Sequence, residues 1–318
     1  MNFSIFDIEG QVNSLTKDLN DEEIMNIYKG KLNLNYQITI DLLMQNIMNQ
    51  KIVCKEFFRL QEDKRSQFNR AFTDAALILE YLKESENYVA KIKKEIINDE
   101  EKDGVLFVLE KLVKYFLSVF KEIYVMSIND CFLGATGRYR IFLEIYCIFQ
   151  YFNKYPNTIV RFVDHYLIKE YLTKKHSNSN ITIEDTKNFY SLKRKYKDEY
   201  MSFKQNYGWA CQKLENPNSI KEIIKFALND AEFFYVNTEY NIVSEYSHAS
   251  LNMAMMKNIN INAVYNFLGK SGALSIAIMR FYIGWIIEIT KNNDKRLLAL
   301  SDFLGKLSNY LYNDYNTK

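Results

Sequence analysis

Apolar side chains recur every three or four residues through most of this chain, which is the spacing of one face of a helix. The clearest runs cover residues 35–61, 105–128, 138–153, 157–173, 183–206 and 262–291. Short stretches in which apolar and polar residues alternate lie inside these helical patterns, so they do not indicate strands. The pattern predicts an all-α protein, a multi-helix bundle or array of about ten helices with no significant sheet.

Few residues interrupt this pattern. The chain has 2 Pro and 10 Gly among 318 residues, whereas sheet-rich proteins need both residue types at their turns. The predicted loops lie at 131–137, which contains Gly134 and Gly137, at Pro156, at 174–180, at 207–209 and at 216–218.

Capping patterns predict two of the helix starts. Asn20 with Glu23 indicates a short helix to about Lys29, and Ser219 with Glu222 indicates a helix to about Val236. Two further helices are predicted, an amphipathic one at 64–82 and a charged, exposed one at 86–102. We divide the chain into an N-terminal helical extension, 1–33, and a single all-helical domain, 34–318.

Charge and cysteine content exclude several classes of protein. The chain has 41 Lys and Arg against 39 Asp and Glu, a net charge of +2, whereas duplex-DNA binders usually show a strong basic excess. We therefore expect no duplex DNA partner. The four cysteines stand far apart with no C-x-x-C motif, which is typical of reduced thiols in a cytoplasmic protein.

The sequence predicts no membrane partner. The first eleven residues lack a basic region followed by an apolar core, which a secretory leader requires. The most apolar region, 259–289, is interrupted by Lys270 and Arg280, so it predicts a buried helix.

Two opposite charges lie on one face of an apolar helix. Arg140 and Glu144 are one turn apart, and isoleucines flank Glu144. Burying either charge alone would cost several kcal/mol. The two residues therefore form either an ion pair that stabilises the bundle or a site where one of them meets a substrate, and the sequence leaves both open.

The next helix carries Arg161, Asp164 and His165. Histidine is rare in this chain, with three in all, and an Asp beside a His is a candidate for orienting the imidazole. The alternative is a histidine that is satisfied in the core or on the surface.

Tyr240, Ser244 and His248 stand four residues apart on one face of a late helix. The chain has no G-x-S-x-G elbow for a serine hydrolase and no H-E-x-x-H zinc motif. The single E-x-x-H sequence, which ends at His248, falls short of the pair that a di-iron bundle needs. We therefore predict no metal ligands and no cofactor.

A basic run precedes the 207–209 break. It contains Lys187, Lys193, Arg194, Lys195 and Lys197. Such a run usually forms a solvated helix face, and contact with RNA or another phosphate is the alternative. The chain has neither a Walker A loop nor a G-x-G-x-x-G motif.

The order of these motifs resembles a bacterial family, domain of unknown function 5677. The resemblance covers about residues 100–260 and implies no activity, because the family has none assigned. The first motif is an R-x-x-x-E helix, Arg140 to Glu144, and the second is a following helix with an Arg face, Arg161 to His165. The third is Trp209 after a basic helix, and the fourth is an S-x-x-x-H helix, Ser244 to His248.

Arg161 and His165 are also similar to the Arg and His that HEPN-class helical ribonuclease toxins carry on one helix. Those toxins place more residues between the two than the three found here. The resemblance implies metal-independent chemistry in which the Arg stabilises phosphate charge and the His moves a proton.

Two functions follow as expectations. In the first, a central polar site binds RNA or a nucleotide, or acts as a nuclease-like toxin or phage-defence effector. Its catalytic residues would be Glu144, His165 and His248, and its ligand-binding residues Arg138, Arg140, Arg161, Trp209, Tyr240 and Ser244. In the second, the same residues form a structural polar network in a non-catalytic interaction or sensor module, whose partner is another protein or a second copy of the chain.

Overall fold

The structure is a computed structural model that describes residues 7–31, 33–57, 69–97, 100–129, 131–210, 214, 219–247 and 261–316. In these ranges the chain forms helices and no strand, which confirms the predicted all-α class. The helices are α1 (Ile8–Thr16), α2 (Asp21–Tyr28), α3 (Leu34–Phe57), α4 (Asn69–Ile96), α5 (Glu100–Ile128), α6 (Phe132–Lys154), α7 (Thr158–His176), α8 (Ile183–Lys195), α9 (Tyr200–Phe203), α10 (Ile220–Ala227), α11 (Asp230–Ser247), α12 (Ile261–Thr290) and α13 (Lys295–Asn316). Two short 3₁₀ turns lie at Lys197–Glu199 and Gly208–Ala210.

The chain divides into two compact units. The first comprises Met1–Phe142 and Val243–Lys318, and the second comprises Leu143–Ile242. Both boundaries fall inside helices, α6 and α11. The predicted boundary between 33 and 34 stays a prediction.

The apolar helix α12 forms the centre of the first unit, where it packs against α4, α5 and α13. Gly272 allows a close approach to α4, since a Cβ at this position would overlap Cδ1 of Ile78. The segment Asn266–Thr290 is long and apolar enough to cross a membrane by composition, and half of its most apolar window is buried in the structure. A core helix of a soluble protein passes the same test, and α12 packs against three other helices.

The N-terminal helices belong to the first unit, where α1 and α2 pack against α13. The predicted cap of α2 is confirmed. The Glu23 N–H donates to Oδ1 of Asn20 at 3.0 Å, and the Asn20 N–H donates to Oε2 of Glu23 at 2.9 Å.

Two predicted interruptions of the first unit are wrong. Helix α4 continues through the charged residues after Leu82, because Lys and Glu are good helix formers and their side chains reach solvent without breaking backbone hydrogen bonds. Helix α6 already begins at Phe132, so Gly134 and Gly137 lie inside it. Each glycine costs a helix about 1 kcal/mol relative to Ala, and buried neighbours such as Ala135 offset that cost.

In the second unit, α7 and α8 pack against each other as a helical hairpin. Pro156 separates α6 from α7, as predicted. The ring of Tyr171 stacks on Phe189 at 4.2 Å, and Lys174 forms an ion pair with Asp185 at 3.2 Å. These contacts hold the basic helix α8 against α7.

The predicted helix from Ser219 to Val236 is wrong in two respects. The Ser219 side chain makes no capping hydrogen bond, and α10 ends at Ala227. A separate capping box then starts α11, because the Glu232 N–H donates to Oδ1 of Asn229 at 3.0 Å and the Asn229 N–H donates to Oε2 of Glu232 at 3.3 Å. The predicted 216–218 turn lies outside the described residues.

Candidate functional site

A polar cluster in the second unit is built on Arg161. Its Nη1 and Nη2 donate to Oε1 and Oε2 of Glu199 at 2.8 and 3.1 Å, and its Nε donates to the Trp209 carbonyl at 2.9 Å. These three bonds tie the guanidinium to two groups distant in sequence, and the Arg161 side chain is only 12% exposed. We call Arg161, Asp164, His165 and their partners the α7 polar cluster.

Two aromatic rings complete the surroundings of Arg161. Its Cζ lies 5.1 Å from the ring centroid of Tyr196 and 5.2 Å from that of Phe203. The two rings stack on each other at 3.8 Å with an angle of 10° between their planes. Aromatic contact stabilises the weakly hydrated guanidinium. The Glu199 carboxylate thus occupies the position on Arg161 that a phosphate would take.

His165 is buried, with 7% of its surface exposed. Its Nε2 lies 2.6 Å from the Gln205 carbonyl, so this nitrogen carries the proton and donates. Burial lowers the pKa of His165 to about 4; the Gln205 hydrogen bond opposes this shift, and the positive charge of Lys169 adds to it. The ring is therefore neutral at physiological pH.

Asp164 does not orient His165, although the two are adjacent in sequence. Its Oδ2 accepts a hydrogen bond from the Tyr196 hydroxyl at 2.6 Å and pairs with Lys195 Nζ at 2.7 Å. Neighbouring side chains on a helix point about 100° apart, so the two residues meet different partners. The orienting group of His165 is instead the Gln205 carbonyl.

Trp209 lies in the core of the second unit and is 1% exposed. Its ring centroid is 5.3 Å from those of Tyr151, Phe152 and Phe162. Only its backbone carbonyl takes part in the α7 polar cluster, by accepting from Arg161. The indole has no exposed face on which a ligand could stack.

Glu144 and Tyr240 form a second contact in this unit. The Tyr240 hydroxyl donates to Oε1 of Glu144 at 3.0 Å, and Tyr240 is 3% exposed. This bond joins α6 to α11. The half-buried Glu144 thus accepts a hydrogen bond from Tyr240, a partner that the four-residue spacing of Arg140 and Glu144 did not predict.

Comparison with known protein families gives one match. Residues 106–262 match a family described as a family of unknown function, DUF5677. The chain belongs to the DUF5677 family. The match contains every motif on which the sequence resemblance rests. No curated protein and no solved structure matches the chain.

Several predicted site residues of the DUF5677 region lie outside the second unit. Arg138 belongs to the first unit, where its Nε lies 2.7 Å from Oε2 of Glu122, and both side chains are well exposed. Arg140 and Ser244 are half-buried residues of the same unit. His248 lies outside the described residues, so its predicted catalytic role stays a prediction.

The structure brings Arg161, His165 and Trp209 together, and it pairs Glu144 with Tyr240. Sequence reasoning missed three members of the α7 polar cluster, Tyr196, Glu199 and Gln205. No spacing rule connects Glu199 to an arginine 38 residues earlier, and Gln205 contributes only its backbone carbonyl. In the described ranges, no group of three or more His, Cys, Asp or Glu residues is placed to hold a metal ion.

In the α7 polar cluster of the DUF5677 region, the side chains of Arg161, Asp164 and His165 are largely buried, and each has a partner within the cluster. Three of its hydrogen bonds run from α7 to the segment after α8, which contains the 3₁₀ turns and α9. The geometry suits a scaffold that fixes this segment, rather than a site that receives a substrate.

The exposed side of α8 and of the 3₁₀ turn after it differs from this largely buried cluster. It presents four cations, Lys187, Lys193 and Arg194 on α8 and Lys197 in the turn, together with Tyr190, which is 52% exposed. We call these five residues the α8 basic face. The chain has no acidic residue from 187 to 197.

The fifth cation of the basic run, Lys195, pairs with Asp164 and takes no part in this face. Among the residues that the structure describes, no carboxylate lies within 4.0 Å of the four cations of the α8 basic face. Lys193 Nζ lies 5.3 Å from the ring centroid of Tyr200, so cations and aromatic rings alternate along this surface.

Proposed function

We propose that this protein is a non-catalytic module that binds single-stranded RNA on the α8 basic face and uses the α7 polar cluster as its scaffold. The observation that carries the proposal is the set of four exposed cations without described carboxylate partners on α8 and the turn directly after it. Phosphate backbones are bound by such groups, and the release of counterions supplies the free energy.

The arrangement of the cations favours a chain of phosphates over a single nucleotide. Lys187 and Arg194 lie seven residues apart on one side of the helix, a distance of about 10 Å at 1.5 Å per residue. The exposed ring of Tyr190 lies between them and offers a surface on which a base can stack.

The α7 polar cluster supports this role by fixing the position of α8. Asp164 on α7 binds Lys195 and Tyr196 at the end of α8, and Arg161 holds Glu199 directly after it. Catalysis by Arg161 and His165 has no comparable support, because the guanidinium is paired and the buried imidazole already donates its proton to a carbonyl.

The test is fluorescence anisotropy with a labelled single-stranded RNA, a duplex RNA and ATP as competitors, at 50 and 200 mM salt. We expect the single strand to compete best. If four phosphates are contacted, the affinity should fall about 50-fold between the two salt concentrations. The RNA should stay intact during the incubation.

Charge reversal locates the site. The variant Lys193→Glu/Arg194→Glu should lose binding at 200 mM salt. The matched control Lys221→Glu/Lys225→Glu reverses two exposed lysines on α10 of the same unit and should bind like the wild type. Equal affinity in the two variants, or no binding of RNA by the wild type at 50 mM salt, would overturn the proposal.

A further inference from the structure

A groove runs along the first unit between α4 and α5. The two helices are antiparallel, since Lys93 pairs with Glu110 at 2.6 Å and Glu86 pairs with Lys114 at 3.3 Å. The groove has a volume of about 390 Å³, and pockets for small molecules generally measure about 300–1,000 Å³. It lies in a different unit from the α8 basic face, so it is independent of the proposed function.

Much of the groove lining is apolar. The residues that form this apolar floor are Ala76, Leu79, Leu117, Tyr124 and Val125. Leu79 and Leu117 are half-buried, and Val125 is 44% exposed. An apolar chain laid on these side chains would remove them from water, which is worth about 0.8 kcal/mol per CH₂ group.

Three residues with hydrogen-bond donors line the groove on its α5 side. Ser118, Lys121 and Tyr124 follow one another at intervals of three residues. Burial raises the pKa of Tyr124 to about 12, so its hydroxyl stays protonated. In the described part of the chain, Lys121 has no carboxylate within 4.0 Å.

The remaining charges of the groove are paired. Lys83 lies 3.5 Å from Glu80, and Lys114 binds Glu86. Three lysines and two glutamates thus line the groove, and Lys121 supplies the uncompensated positive charge.

The neighbouring carboxylate of Glu110 does not alter this balance. It accepts hydrogen bonds from Lys114 at 2.7 Å and from Lys93 at 2.6 Å. Burial acts to raise the pKa of Glu110, but these two lysines hold it below its ordinary value, so the group is ionised and shared between two cations.

We propose that this groove binds a medium-chain fatty acid, with the carboxylate beside Lys121 and the apolar chain on the floor residues. The lysine and the Ser118 and Tyr124 hydroxyls hold the two carboxylate oxygens. The chain lies between the helices, where it covers Leu79 and Leu117. A cationic head group would face the charge of Lys121.

Methyl-labelled NMR spectra of the full chain test the proposal directly. Decanoate, decyl phosphate, decylamine and butyrate are titrated below their micellar concentrations. Decanoate should shift the methyl signals of Leu79, Leu117 and Val125. Decylamine and butyrate should each bind more than about tenfold more weakly, because the first has the wrong charge and the second lacks six CH₂ groups. Stronger binding of decyl phosphate would overturn the carboxylate assignment.

Two variants locate the head group and the chain. Lys121→Glu should weaken decanoate binding about tenfold, and Ser118→Trp should abolish it by filling the groove. The control Lys111→Glu makes the same charge change at an exposed position of α5 outside the groove and should bind like the wild type. Thermal unfolding of each variant checks the fold, and Lys121→Ala takes the place of Lys121→Glu if that variant is unfolded. The proposal would be overturned if decylamine bound as tightly as decanoate or if Lys121→Glu left the affinity for decanoate unchanged. It would also be overturned if only methyl signals outside the groove shifted.

Discussion

Arg161 binds the carboxylate of Glu199 through two hydrogen bonds of 2.8 and 3.1 Å, across 38 residues of chain. The same guanidinium donates to the Trp209 carbonyl at 2.9 Å. One side chain of α7 therefore holds two separate turns of the segment that follows α8. These turns place the end of the basic helix, so the pair links the buried scaffold to the exposed α8 basic face.

The Arg161–Glu199 pair should be a major contributor to the stability of the second unit. Breaking a fully buried pair costs about 3–5 kcal/mol, and the Glu199 side chain is 33% exposed. We therefore expect Arg161→Met to lower the free energy of unfolding by about 2 kcal/mol, measured in urea.

A double-mutant cycle separates this pair from general damage. The double variant Arg161→Met/Glu199→Gln should lose less stability than the two single variants together, because each single variant leaves one charge without its partner. Lys83→Met, which breaks an exposed pair with Glu80, should cost less than about 0.5 kcal/mol. Strict additivity in the cycle would contradict the coupling.

His165 should make the protein less stable as the pH falls. Its pKa of about 4 in the folded state lies below the ordinary 6.5, so the unfolded chain binds this proton first. Its stabilising contribution is complete above pH 6.5 and is lost as the pH falls toward 4. Between pH 7 and pH 5 the loss should be about 2 kcal/mol.

The variant His165→Gln tests this effect, since glutamine keeps an N–H donor but does not titrate. The difference in unfolding free energy between wild type and variant should shrink between pH 7 and pH 5 and should change little between pH 8 and pH 7. Parallel pH profiles for the two proteins would show that His165 does not carry the dependence.

Gly208 should not tolerate a side chain. A Cβ at this position would overlap the backbone carbonyl oxygens of Ser202 and Phe203. We expect Gly208→Ala to destabilise the protein by about 2 kcal/mol. Gly137 is the matched control, because no described atom lies within 4 Å of its added Cβ inside α6, so Gly137→Ala should stabilise the protein by about 0.5–1 kcal/mol. Equal thermal shifts in the two variants would be inconsistent with the close packing of this turn.

The start of α11 should depend on Asn229, whereas the start of α10 should not depend on Ser219. Asn229 accepts from the Glu232 N–H at 3.0 Å, and Ser219 makes no side-chain cap. Asn229→Ala should therefore cost about 1 kcal/mol in urea unfolding. Ser219→Ala should be nearly neutral, and a larger loss for Ser219→Ala than for Asn229→Ala would reverse the assignment.

The positions of the helices were largely predictable, and the errors have a common cause. Local signals such as Asn20, Glu23 and Pro156 acted as expected because they change hydrogen bonding within a single turn. Gly134 and Gly137 acted differently, since each costs a helix only about 1 kcal/mol and packing of the rest of α6 exceeds that cost.

The candidate site was predictable only in part. Arg161 and His165 were recognisable as polar residues on an apolar helix, and the basic run was visible in the composition of residues 187–197. Their partners were not recognisable. Glu199 meets Arg161 only after the chain turns back on itself, and the His165 partner is a backbone carbonyl that any residue could supply.

The sequence by itself determined the helical class, the membership of the DUF5677 family and the location of the positive charge, because periodicity, motif order and charge are properties of neighbouring residues. The tertiary structure decided which charges are available to a ligand. It buried Arg161 and His165 against groups distant in sequence and left Lys187, Lys193, Arg194 and Lys197 in solvent. Whether a charged side chain is buried and paired depends on how helices far apart in the chain pack together, and a local sequence pattern does not predict that packing.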